Sequence, residues 1–219
     1  MSKNGILFDL DGTLWDSCVA IMPSWQRVIK AHGIKRGPIT RDEMNSYMGK
    51  TVQQIAPLML PEVSLEEAVS IMKEGCVEEL EELRRNGATL YEGIIETLKE
   101  LSKDFNLFVV SNCEDGYIQA FIEHYNLEGI IKDFECAGRT RKPKGDNIRM
   151  VMERNEITKA FYVGDTILDF EAARKASIPF VLANYGFGEV ENPDYIIEKP
   201  SELIKIAKEF LRVNPPHAF

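Results

Sequence analysis

Short apolar runs separated by longer stretches of helical periodicity cover most of the chain. The runs at 5–8 (Gly5-Ile6-Leu7-Phe8), 106–110, 160–163 and 180–183 read as buried strands, with weaker strand candidates at 134–136 and 195–197. Helical spacing follows at 94–101, 117–125, 147–154, 168–176 and 202–211. Strands alternating with helices predict an α/β fold built on a doubly wound parallel sheet.

Residues 16–85 interrupt that alternation. They carry no convincing strand pattern, only amphipathic helical stretches. Thr40 with Glu43, and Ser64 with Glu67, match the capping box, a hydroxyl residue with an acid three positions later. Gly33, Gly37-Pro38, Gly49 and Pro61 mark breaks between helices, and Asn86-Gly87 reads as a helix C-terminus. The expected organisation is therefore an α/β core domain from residues 1–15 and 86–219, with residues 16–85 inserted as a smaller all-helical domain. The tail from Val213 to His217 reads as a loose end.

Composition adds exclusions. The chain has 219 residues, 44% of them hydrophobic, which suffices for a full core. Its 26 basic residues against 35 acidic ones give a net charge of −9, which argues against nucleic acid and anionic membrane as partners. No stretch approaches the roughly 20 apolar residues of a membrane helix. The start of the chain lacks the pattern of a signal peptide. Cys18, Cys76, Cys113 and Cys136 form no CxxC pair, so neither a disulfide framework nor a zinc site is expected. A cytoplasmic setting is the expectation. The acid excess does not exclude a phosphorylated substrate, because a cluster of acids can hold a cation that reverses the local sign.

The chemistry lies just after the strands. Asp9-Leu10-Asp11-Gly12-Thr13 follows the first, Ser111-Asn112 the second, and Gly164-Asp165-Thr166-Ile167-Leu168-Asp169 a third. Ligands of open parallel sheets bind at the carboxyl ends of strands, so these segments are expected to share one crevice. Four carboxylates crowded there at neutral pH need raised pKa values or a metal, and all-oxygen ligation suits Mg²⁺. In extended backbone, residues two apart point the same way, so Asp9 and Asp11 both reach the crevice. One can attack phosphorus while the other handles the proton of the leaving group.

Phe8-Asp9-Leu10-Asp11-Gly12-Thr13-Leu14 resembles the first motif of haloacid dehalogenase superfamily phosphatases. Val110-Ser111-Asn112 is similar to their second motif and Gly164-Asp165-Thr166-Ile167-Leu168-Asp169 to their fourth, in the family's order. The helical insert resembles the cap of the phosphoglycolate phosphatase and β-phosphoglucomutase branch. Thr89-Leu90-Tyr91-Glu92-Gly93 is similar to the return from cap to core, although Glu92 stands where proline is usual.

The resemblance implies a Rossmann-like core and a two-step phosphoryl transfer. Asp9 would be the nucleophile and Asp11 the general acid and base. Mg²⁺ would be held by Asp9, the Asp11 carbonyl and Asp165, with Asp169 behind them. Ser111 and a third-motif lysine would bind phosphate oxygens, helped by Thr13 and Asn112. Both Lys142 and Lys144 fit that lysine. Lys144 is favoured because Gly145 can turn the chain and Asp146 can cap a helix starting at Asn147. In the cap, Lys50 of Met48-Gly49-Lys50-Thr51 occupies the region of the specificity loop; a surface lysine at a helix start fits equally well.

Several residues carry plainer readings. Asp169 also suits a helix-start acid. His32, His124 and His217 have no ligand spacing, and Cys113 reads as a packed small residue. Trp15 and Trp25 are expected at the core–cap junction. Glu78-Glu79-x-Glu81-Glu82 is expected to be a solvated helix face.

The leading expectation is a Mg²⁺-dependent phosphatase of a small phosphorylated metabolite, phosphoglycolate being the nearest named substrate. A β-phosphoglucomutase-like mutase is disfavoured because Gly164 stands where mutases usually have an acid; a pyrophosphatase stays open. A receiver-like phospho-acceptor module is disfavoured by length and by Asp11. Oligomeric state is not legible.

Overall fold

The structure, a computed structural model, describes residues 4–212; the tail from Val213 to His217 lies outside them. Six parallel strands form one sheet: β1 (Asn4–Phe8), β4 (Asn106–Ser111), β5 (Ile131–Cys136), β6 (Lys159–Gly164), β7 (Phe180–Ala183) and β8 (Tyr195–Ile197), in the order β5-β4-β1-β6-β7-β8. The chain starts in the middle of the sheet and winds outward both ways, as the alternating pattern predicts.

Side chains alternate across each strand, so the sheet has two buried faces. Ile6, Phe8, Leu107 and Val109 face one core, which continues into α5 (Ile94–Leu101) and α6 (Tyr117–His124). Leu7, Phe108, Val110 and Tyr162 face the other, closed by α8 (Lys144–Arg154) and α9 (Ile167–Ala176). A short helix, α7 (Ala137–Thr140), links β5 to α8, and a 3₁₀ turn leads into α10 (Leu203–Arg212). The weak candidate at 134–136 is the end of a six-residue strand. Its central Lys132 and Asp133 are not buried, which blurs the apolar signal.

Residues 16–85 supply α1 (Cys18–Ala31), α2 (Arg41–Tyr47), α3 (Val52–Met59) and α4 (Leu65–Asn86, with an exit at Gly87). The hydroxyls of Thr40 and Ser64 accept from the amides of Glu43 and Glu67, both at 3.2 Å, as the capping pattern requires. One expectation fails at the edge of this segment. Trp15 and Asp16 form β2, antiparallel to β3 (Thr89–Leu90), so Asp16 belongs to a strand. Two residues are too few for a hydrophobic period to register; the pairing arises because the chain passes the same point on entering and leaving the helices.

Candidate active site

Strand register sets the site. Phe8 lies opposite both Val109 and Val163, so β1, β4 and β6 end within two residues of one another and the residues at their ends converge. The Asp9 amide donates to the Val163 carbonyl at 2.8 Å, carrying the pairing one residue past β1. Gly12 then turns at φ +81, and a Cβ there would lie 2.0 Å from Asp165 Oδ2, so only glycine lets the first segment approach the third this closely.

Asp9, Asp165 and Asp169 are buried, and each offers a carboxylate oxygen within 4.8 Å of the others'. Lys144 joins them from the first turn of α8. Its Nζ lies 2.6 Å from Asp169 Oδ1 and 3.0 Å from Asp9 Oδ1, with the lysine itself buried. Burial pushes the Lys144 ammonium down, but the Asp169 and Asp9 carboxylates outweigh it and raise its pKa. Burial, with the Asp169 charge, raises the Asp9 carboxyl; burial, Asp169 and Asp9 raise Asp165. Asp9 Oδ1 is in ion-pair range of Lys144 yet accepts no hydrogen bond. A buried carboxylate oxygen without a donor, beside acids that resist ionising together, is what a hard cation would complete, so the residues fit a magnesium-type site.

Asp169 is differently engaged. Its Oδ2 accepts from the Thr166 amide (3.0 Å), the Thr166 hydroxyl (2.7 Å) and the Asp165 amide (3.3 Å), while Oδ1 takes Lys144. It stands at the start of α9, as the plainer reading of Asp169 has it, and it also holds the lysine. A Cβ on Gly164 would lie 2.5 Å from that of Asp169, so this tight turn also requires a glycine.

Asp11 is half-buried at the mouth of the cluster. Its Oδ1 accepts from Trp15 Nε1 (2.9 Å), Tyr117 Oη (3.0 Å) and the Ser17 hydroxyl. Burial carries its pKa up to about 6 against the pull of those donors. Trp15 and Ser17 are close by in the chain, so their part is legible; Tyr117, from α6, had no sequence signal.

The remaining candidates fall into place unequally. Thr13 is buried and donates to Asp165 Oδ1 at 3.3 Å. Ser111 ends β4, buried, on a small cavity of about 60 Å³ that Asp9 and Asp11 also line. Asn112 Nδ2 donates to the Gly49 carbonyl at 2.8 Å, tying the core to the helical segment. Lys50 lines the cavity half-buried, its ammonium held on the Ser46 carbonyl. Lys142 does not join the cluster. It is exposed, with Nζ 3.5 Å from Met150 Sδ, on a wider outer cleft of about 540 Å³. Pro143 and the helix start after it aim Lys144 inward and leave Lys142 on the loop.

Glu79 corrects the reading of 78–82 as a solvated face: it is buried and accepts from Trp25 Nε1. A run of acids hides the single one that the helical period turns inward. Trp15 packs edge-on to Tyr117 and Phe121 of α6 and to Tyr125, the residue that ends it. Among the described residues, no helix is long and apolar enough to cross a membrane.

Residues 6–183 match the family model described as haloacid dehalogenase-like hydrolase. A phosphoglycolate phosphatase of Aquifex aeolicus is 31% identical, with 92% of this chain and 95% of that protein covered. One from Agrobacterium fabrum is 28% identical over 88% and 87%. Among solved structures, a haloacid dehalogenase-like family hydrolase of Streptococcus pneumoniae superposes with a TM-score of 0.74 at 26% identity, covering 94% of this chain and 99% of that one.

Proposed function

The chain belongs to the haloacid dehalogenase-like hydrolases and is a phosphatase, and on that basis we propose that it hydrolyses a small phosphorylated metabolite in two steps through Asp9. The Asp9 carboxylate attacks phosphorus, the ester P–O bond breaks, and Asp11 gives its proton to the departing alkoxide. Asp11, now ionised, takes a proton from water; that water attacks the aspartyl-phosphate, releasing phosphate and restoring Asp9. The pKa of Asp11 near 6 suits a group that must both give and take a proton near neutrality.

Ser111 and the Lys144 ammonium bind phosphate oxygens, with Thr13 and Asn112 bracing the loops. Asp9, Asp165 and the Asp11 carbonyl would hold Mg²⁺, which would supply positive charge to offset the repulsion of carboxylate and phosphate. Asp169 positions Lys144 and the Asp165 turn. Residues 16–85 act as the cap over the cavity and the rest as the catalytic core. The carrying observation is the convergence of Asp9 and Asp165 from two strand ends with Asp169 and Lys144 from two helix starts.

Phosphate release from sugar phosphates, phosphoglycolate, nucleotides and pyrophosphate tests the reading, each with Mg²⁺, with EDTA and with Asp9→Asn. Turnover is expected only for the wild type with Mg²⁺. Activity that survives EDTA, or that Asp9→Asn retains, overturns the mechanism.

A further inference from the structure

The small cavity that Asp9, Asp11 and Ser111 line is too tight for an ester. Its volume of about 60 Å³ has room for roughly four to six water molecules, far below the ~300 Å³ at the low end of small-molecule sites. A phosphoester reaches Asp9 only if a wall gives way. Asn112 lines both this cavity and the outer cleft of about 540 Å³. Between the two spaces stands the tip that joins α2 to α3: Met48, Gly49 and Lys50 border the cavity and Thr51 the cleft.

The tip rests on the core through close packing and one hydrogen bond. A Cβ on Gly49, whose φ is +76, would lie 3.1 Å from Thr166 Oγ1, so bare backbone seats against the start of α9. The Gly49 carbonyl accepts from Asn112 Nδ2 at 2.8 Å, the only hydrogen bond between tip and core among the described residues. Lys50 and Thr51 bond within the helical segment instead, to Ser46 and Gln54. The small cavity also adjoins a cleft of about 440 Å³ past Cys76 and Glu114. There the wall is α4, set against the start of α6, where a Cβ on Gly116 would lie 3.1 Å from Leu80 Cδ1. A helix backed by a helix opens less readily than a loop held by one hydrogen bond.

The outer cleft suits an arriving anion. Arg141, Lys142, Lys144 and Lys175 line it against one acid, Glu171. Lys144 and Lys175 are paired with aspartates, whereas Arg141 and Lys142 are exposed and form no ion pair among the described residues. Local positive charge draws anions to this mouth although the chain as a whole is acidic.

Resting on the phosphatase reading above, we infer that Asn112 is a positioning residue whose amide latches the tip shut between the basic outer cleft, where the ester arrives, and the reacting groups around Asp9. Its donor is spent on the helical segment and not on phosphate. Opening the latch joins the cleft to the cavity; closing it shields Asp9 from water.

The first test needs no turnover. Trp25 lines the small cavity and Trp15, the other tryptophan, is fully buried, so acrylamide quenching of tryptophan fluorescence reports how often the cavity opens. The wild type is compared with Asn112→Ala, Gly49→Ala and the double variant, thermal melts establishing that each folds. Gly49→Ala disturbs the latch from the other side, through its Cβ against Thr166. Each single variant is expected to raise the quenching slope about 2- to 12-fold, the ratio that one net hydrogen bond is worth. The double variant should match the single ones, because both break the same contact. Unchanged quenching in Asn112→Ala overturns the inference, as do effects that multiply in the double variant. With p-nitrophenyl phosphate and Mg²⁺, Asn112→Ala should lower kcat by more than it raises KM, because reaction needs the tip shut and arrival does not. A rise in KM alone gives Asn112 to the phosphate and overturns the latch. A wild type inactive on every ester removes the phosphatase reading, while quenching still decides whether Asn112 holds the tip.

Discussion

Asp9 and Asp169 are both buried aspartates beside one lysine, yet their hydrogen bonds separate them. Asp169 has both oxygens filled by donors from Thr166, Asp165 and Lys144, whereas Asp9 keeps one oxygen that accepts no hydrogen bond. A fully satisfied carboxylate holds position and an unsatisfied one is available to react. Glu79 shows the same dependence on surroundings. In the folded chain burial raises its pKa from 4.5 to about 8. Between those values the folded chain holds a proton that the unfolded chain has released, so this group's contribution to stability falls as pH rises. Glu79→Gln should remove that contribution. Its melting temperature is expected to match the wild type near pH 5 and exceed it near pH 8, and thermal melts across that range check the sign. A constant offset at all pH values would contradict it.

At the scale of elements, the start of α9 performs two tasks at once. Asp169 accepts from the Thr166 and Asp165 amides at the helix N-terminus and from the Thr166 hydroxyl, and the same carboxylate anchors Lys144 from α8. Asp169→Asn keeps a side-chain oxygen that can still cap the helix but loses the charge that holds the lysine. Activity is expected to fall about 10- to 100-fold, the range typical of residues that orient a metal site, while far-ultraviolet circular dichroism stays native. Steady-state kinetics against a melting curve separates the two effects. The β2–β3 pair works at the same scale: two residues on each side bring the chain back to the core where it left.

The whole molecule explains why a chain of net charge −9 can accept an anion. The acids of the cluster come from β1 and β6 ends joined only by folding, and the one lysine among them is fully engaged. The folded state therefore brings together an acid cluster that the unfolded chain lacks, and on the proposed reading that cluster holds the cation. Mg²⁺ should raise the melting temperature, by about 2.7 kcal/mol of added stability at a hundred times its dissociation constant. Asp165→Asn should abolish most of that shift. A thermal shift unchanged by the substitution would place the cation elsewhere.

The apolar pattern by itself determined the α/β class, the helical character of most of the stretch between β2 and β3, and the strands β1, β4, β6 and β7, whose burial on two faces demands near-continuous apolar runs. The strands β5 and β8, with exposed positions, gave only weak signals. Asp9, Asp11, Ser111, Asp165 and Asp169 were legible because each stands directly after such a run or one turn into the next helix. Other decisions needed the tertiary structure. Lys144 rather than Lys142 reaches the acids because the helix start turns one lysine inward and leaves its neighbour on the loop. Tyr117 meets Asp11 from 106 residues away, and Glu79 turns inward from within a run of acids. Local periodicity records which face of an element is buried; which distant groups share the space beneath it depends on how the elements pack.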